Sequence, residues 1–228
     1  MTEIRFPAGE NSGEVSGLLL RPEKARALLA LAHGAGAGMR HKFMDEICSK
    51  LAGLGIATLR YQFPYMEKGS KRPDPERILT GTVRSALAAA RKHARDLPLF
   101  SGGKSMGGRM TSLALANGLL EGVRGLIFFG FPLHAAGKPS GERGQHLSGV
   151  SVPMLFLQGS RDALADLRLL EPICRKLGRR AELFVVDGGD HSFHLLKSSG
   201  RSDDEALDEV TRKVASWISG LITPSTRT

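Results

Sequence analysis

Residues 98–110 read Pro98-Leu99-Phe100-Ser101-Gly102-Gly103-Lys104-Ser105-Met106-Gly107-Gly108-Arg109-Met110. A short apolar run, Pro98 to Ser101, leads into Gly-Lys-Ser-Met-Gly, and Met106 to Leu120 follows as a helix candidate. G-x-S-x-G between strand and helix is the form taken by a nucleophile-bearing turn. The turn is so tight that the serine backbone is strained. A glycine two residues to either side lets strand and helix pass without a side-chain clash. The serine Oγ is left in the open at a helix N-terminus, which favours negative charge. The same residues also match the end of a phosphate-binding loop, Gly103-Lys104-Ser105. That motif needs a glycine five positions before Gly103, where this chain has Pro98. A strand segment containing proline makes no cradle of free N–H groups, so the nucleotide reading is set aside.

Outward from this turn, apolar runs alternate with helix-like segments. Ala27 to Ala32, Ile56 to Arg60, Leu126 to Phe129, Met154 to Leu157 and Leu183 to Val186 are apolar on both faces, as central parallel strands are. Glu3 to Phe6 and Val15 to Leu20 read as edge strands around the turn residues Gly9 to Gly13. Helices are expected at His41 to Leu54, Pro75 to Asp96, Ala163 to Leu177 and Asp203 to Leu221. Pro75 suits a first helical turn, and Asp203 and Asp204 suit a helix N-terminus. Strand then helix, repeated, predicts an α/β sandwich with a mainly parallel central sheet. Residues 1–222 read as one domain, with a polar, frayed tail over 223–228. Leu133 to Val150 is the longest loop candidate, either bordering a substrate site or serving as a plain connection.

Composition narrows the setting. The 228 residues are 41% hydrophobic and carry two cysteines, Cys48 and Cys174. Two cysteines make no disulfide framework, and neither has a metal-like spacing. The N-terminal residues lack the apolar run of a secretory signal, and no stretch approaches a membrane span. A cytoplasmic setting, with no metal and no membrane partner, is the expectation. The net charge is +9, which raises the question of an anionic partner. The basic residues are scattered rather than gathered into one stripe, so no nucleic-acid partner is expected. Oligomeric state is not legible.

A serine hydroxyl is a weak nucleophile and needs a base, itself oriented by an acid. His191, in Gly-Gly-Asp-His-Ser-Phe just after the last strand candidate, is the first choice for the base, and His194 is the competitor. For the acid, Asp162 follows a strand by a short glycine-containing loop. Asp166, expected within the next helix, and Asp187, close to its own strand end, compete with it, and Asp190 adjoins His191 in the chain. Asp162 also reads as a helix N-cap before Ala163. An oxyanion needs backbone N–H donors. Met106, after the serine, supplies one. The glycine-rich loop His33-Gly-Ala-Gly-Ala-Gly-Met39 supplies the other, with Ala35 as first choice and Gly36 in reserve.

Taken together, His33-Gly34 after a strand, Gly-Lys-Ser-Met-Gly at Ser105, Gly-Ser-Arg-Asp at Asp162 and Asp-His-Ser-Phe at His191 resemble the α/β-hydrolase superfamily. They cover roughly Ala27 to Trp217 in the right order. Arg60 to Met66 and Phe131 to Pro139 look like its small capless, dienelactone-hydrolase-like branch. The resemblance implies a three-layer sandwich without a large cap and a Ser105–His191–Asp162 triad. It also implies no cofactor, and hydrolysis of an ester or related acyl bond in a small-molecule substrate. Dienelactone hydrolases use a cysteine nucleophile, and Ser105 departs from that. Relatives of the branch include non-catalytic subunits of chromatin-associated complexes, so the alternative expectation is an interaction module on a hydrolase scaffold.

Overall fold

The computed structural model describes residues 1–9 and 12–223. Its eight strands are β1 (Thr2–Pro7), β2 (Glu14–Leu20), β3 (Ala27–Ala32), β4 (Ile56–Tyr61), β5 (Leu99–Lys104), β6 (Leu126–Phe129), β7 (Met154–Gly159) and β8 (Ala181–Val186). They form one sheet in the order β1-β2-β4-β3-β5-β6-β7-β8. β2 runs antiparallel to both its neighbours, and every pairing from β4 to β8 is parallel. Among the described residues six α-helices accompany the sheet: α1 (Lys42–Gly53), α2 (Pro64–Glu67), α3 (Glu76–His93), α4 (Met106–Ala116), α5 (Leu167–Leu177) and α6 (Asp203–Ile222).

The period-2 alternation of the strands feeds two apolar layers. In β3, Leu28, Ala30 and Ala32 join the layer covered by α3, α4 and α5. Ala27, Leu29 and Leu31 join the layer under α1 and α6. β6 divides in the same way, with Phe128 on one side and Phe129 on the other. No helical cap interrupts the described residues: between β6 and β7 lies only a segment carrying a 3-10 helix, Glu142–Gly149.

Several expectations need correction. β2 is an interior strand, paired on both sides, while β8 is an edge strand and is only partly buried. Pairing of β2 to β4 depends on contacts that its own pattern does not carry. β5 runs three residues further than its apolar run, because Gly102, Gly103 and Lys104 continue the ladder with β6. α4 stops at Ala116. α5 starts at Leu167 and not at Ala163, because Asp166 caps it by accepting the Arg168 N–H at 2.9 Å. The N-cap of α6 is Ser202, in a capping box with Glu205. The short helix α2 carries too little periodicity to be read from sequence. Residues 10 and 11 of the expected turn, and 224–228 of the expected tail, lie outside the described residues.

The strand order reverses between β3 and β5. In open parallel sheets this is where the carboxyl ends of the strands leave a crevice. The loop after β3 and the turn after β5 border that crevice.

Candidate active site

Ser105 follows β5 directly and caps α4. Its backbone has φ 51° and ψ −120°, a conformation that costs a non-glycine residue about 1–3 kcal/mol. Two close approaches enforce it. A Cβ at Gly103 or at Gly107 would stand 2.5 Å from the Ala32 carbonyl oxygen. Only glycine lets β3, β5 and α4 meet there. The Ser105 N–H donates to the Phe129 carbonyl at 3.2 Å, which ties the turn to β6.

The loops after β7 and β8 meet at the Asp162–His191 pair, and Lys104, the residue before Ser105, donates to the His191 carbonyl. His191 Nδ1 lies 2.7 Å from Asp162 Oδ2, and the Asp162 side chain is fully buried. That carboxylate has two further donors. The Leu164 N–H donates to Oδ1 at 2.7 Å, and the Gln158 amide donates to Oδ2. Gln158 is itself oriented by accepting the Phe131 N–H at 2.9 Å. With Nδ1–H given to Asp162, Nε2 carries the imidazole lone pair. Among the described residues His191 Nε2 is buried and without a hydrogen-bond partner, so no bond to Ser105 is formed here. Such bonds tighten when substrate binds. The His191 ring packs on Gly130, the residue after Phe129.

The competing residues are engaged elsewhere. His194 pairs with Asp203 at 2.7 Å on the protein surface. Asp166 caps α5. Asp187 accepts from Ser160 Oγ. Asp190 accepts the Ser192 and His194 N–H groups, which shapes the histidine loop.

The glycine-rich loop packs against the serine: a Cβ at Gly34 would lie 3.6 Å from Ser105 Cβ. His33 is fully buried. Its Nδ1 lies 2.7 Å from the Gly34 carbonyl, and its Nε2 accepts the Phe63 N–H at 3.2 Å. These partners assign a neutral ring with the proton on Nδ1. The Gly36 N–H donates to the Tyr65 hydroxyl at 3.1 Å. The Ala35 amide has no such partner among the described residues, and Ala35 is exposed. Of the two candidate donors in this loop, Ala35 is therefore the free one. The Met106 amide, at the start of α4, is likewise uncommitted.

A family model described as an alpha/beta hydrolase domain matches residues 25–219. The chain belongs to the α/β hydrolase family. Similar solved structures agree on the fold of this chain. An alpha-beta serine hydrolase homologue from Coxiella burnetii superposes with a TM-score of 0.75 at 19% identity, covering 96% of this chain and 98% of its own. A dienelactone hydrolase from Anabaena variabilis gives 0.74 at 18%, covering 97% and 99%. A serine hydrolase without lid from Xanthomonas campestris gives 0.73 at 20%, covering 99% and 96%. A Mycobacterium tuberculosis (strain CDC 1551 / Oshkosh) protein bearing the provisional name phosphoribosyl transferase is 26% identical over 210 residues. That match takes in 89% of this chain and 43% of the relative, so the chain spans less than half the length of the curated relatives it matches.

Three residues of the candidate site escape a reading of sequence alone: Lys104, Gln158 and Tyr65. For the first two the available signal is a polar residue at the end of a strand buried throughout. Tyr65 carries no such mark.

The buried His33 makes the fold acid-sensitive. Desolvation lowers its pKa from 6.5 to about 4, against the raising effect of the Gly34 bond. Between those values the unfolded chain takes up a proton that the folded one refuses. Stability therefore falls as pH drops from 6.5 toward 4, by about 3 kcal/mol in all. Urea midpoints at pH 7 and 4.5 are expected to differ less in His33→Gln than in the parent. Equal differences in the two proteins would count against this role.

Proposed function

We propose that the chain is a serine hydrolase cleaving a carboxylic ester or a related acyl bond through an acyl-enzyme on Ser105. One observation carries the reading. A buried carboxylate fixes His191 through Nδ1, leaving Nε2 buried and unpartnered among the described residues, in a loop tied to Lys104, the residue before the strained Ser105. Asp162 holds the ring in that tautomer. His191 takes the Ser105 proton as Oγ attacks the acyl carbon, and returns it to the leaving oxygen. Water, activated by the same nitrogen, then releases the acid and frees Ser105. The Met106 and Ala35 amides receive the oxyanion. An uncapped site leaves selectivity to short loops, Tyr61 to Met66 and Leu133 to Val150. The cysteines, both buried and unpaired, suit the reducing cytoplasmic setting that we also propose.

The transferase name of the Mycobacterium relatives attaches to proteins more than twice as long, and we carry no transferase activity over. The phosphate-loop candidate lies in a strand, and its lysine is spent on a carbonyl: Lys104 Nζ lies 2.7 Å from the His191 oxygen.

A fluorophosphonate probe tests the proposal. Ser105 is expected to be the labelled residue by peptide mass spectrometry, and Ser105→Ala to take no label. A folded parent protein that stays unlabelled, and that hydrolyses no member of a graded ester series, would overturn it.

A further inference from the structure

Lys104 occupies the variable position before the serine in Gly-Lys-Ser-Met-Gly. By the period of β5 it shares the α1 face with Phe100, opposite to Gly103. It is 8% exposed. Its Nζ donates to the His191 carbonyl at 2.7 Å and lies 5.6 Å from the centre of the Phe43 ring on α1. The charged groups facing it are Asp162 from the loop after β7 and Asp190 from the histidine loop. The same loop is held from its other end by Phe193, which is buried at φ 67° and packs 6.1 Å from Phe43.

We propose that Lys104 is a positioning residue for His191, its ammonium fastening the histidine loop to the residue that precedes the nucleophile. The proposal rests on reading Ser105 as that nucleophile. Core filling alone does not account for a lysine here. A methionine has nearly the same shape and avoids the desolvation that a buried ammonium suffers. What the lysine adds is a charge-assisted bond to the backbone of the base itself. One residue thus ties together the two loops whose spacing sets the Oγ–Nε2 distance, and misplacement there by about 1 Å changes rates by about 100-fold.

The tie depends on pH. Burial lowers the Lys104 pKa from 10.5 to about 8, while Asp162 and Asp190 pull it upward. The bond is strongest below about pH 8 and weakens above it. Stability moves the other way. The unfolded chain binds the extra proton between about pH 8 and 10.5, so Lys104 makes the fold more stable as pH rises through that window.

Lys104→Met is the decisive variant, with Lys104→Arg as the conservative one and Lys104→Gln as a second uncharged form. Ester turnover, fluorophosphonate labelling rates from pH 6 to 10, and hydrogen exchange of residues 188–196 are the readouts. Lys104→Met is expected to lose about 100-fold in kcat with KM within about twofold, and to melt no lower than the parent. The parent's rate is expected to decline above about pH 8. That decline should vanish in Lys104→Met and Lys104→Gln, and move beyond pH 10 in Lys104→Arg, which keeps its charge. Loop exchange should quicken in the uncharged variants and be restored in Lys104→Arg. Parental kcat and pH profile in both uncharged variants would overturn the proposal. If the parent itself neither turns over nor labels, the nucleophile reading falls. Loop exchange then decides the tie alone, and unchanged exchange in the uncharged variants overturns it.

Discussion

Asp162→Asn is expected to lower ester turnover by about 10⁴ while leaving the fold intact, the size of effect that this change has in Ser–His–Asp systems. Three donors converge on the carboxylate: the Leu164 N–H and the Gln158 amide, both fixed by the protein frame, and His191 Nδ1–H. An ionised carboxylate accepts all three. Asparagine has one acceptor oxygen and an NH₂ group, so one of its two ends must oppose a donor. The Leu164 N–H is fixed backbone and keeps the amide oxygen at the Oδ1 place, so the NH₂ takes the Oδ2 place, opposite both the Gln158 amide and His191 Nδ1. Of these two the imidazole can change tautomer. His191 then accepts at Nδ1 and carries its proton on Nε2, where the base is needed. The loss should fall mainly on kcat. Near-ultraviolet circular dichroism checks the packing, and parallel Asp166→Asn and Asp190→Asn variants check specificity. Turnover within tenfold of the parent would show that Asp162 does not set the His191 tautomer.

Gly107→Ala is expected to destabilise the protein by more than about 4 kcal/mol, in the range reached only by severe core changes, and to yield little folded material. The added methyl would stand 2.5 Å from the Ala32 oxygen, 2.6 Å from its carbonyl carbon and 2.6 Å from the His33 oxygen. All three are backbone atoms at the end of β3. That strand is paired on both sides and fully buried. It cannot retreat without opening the sheet. Gly81→Ala, on α3 with nothing within 4 Å of the new Cβ, is the control. It should gain about 1 kcal/mol from helix propensity. Urea midpoints of the two variants separate the effects. A Gly107→Ala protein with the parent's midpoint would mean that the turn is less tightly built than these distances state.

The two results depend on different kinds of information. Gly107 is legible in the chain, because the turn involves neighbours in sequence and its chemistry is local. The alternation in β3, β6 and β7 is legible for the same reason, since each residue's face follows from its neighbour's. Helix starts at Lys42 and Glu76 fall within a residue of their expected places. Expectations weaken where an apolar pattern stops before the strand does, as in β5, or where two acids stand near one helix start, as with Asp162 and Asp166.

The sequence by itself determined an alternating α/β chain, a serine on a strand–helix turn, and an order of motifs that resembles one superfamily. The tertiary structure alone decided which carboxylate meets His191, which strands lie at the sheet edges, and where the Lys104 ammonium goes. His191 and Asp162 are 29 positions apart, and Lys104 and His191 are 87 apart. Local patterning fixes which face a side chain takes. It does not fix which strand lies beside which, and the sheet order is what brings these groups within hydrogen-bond reach.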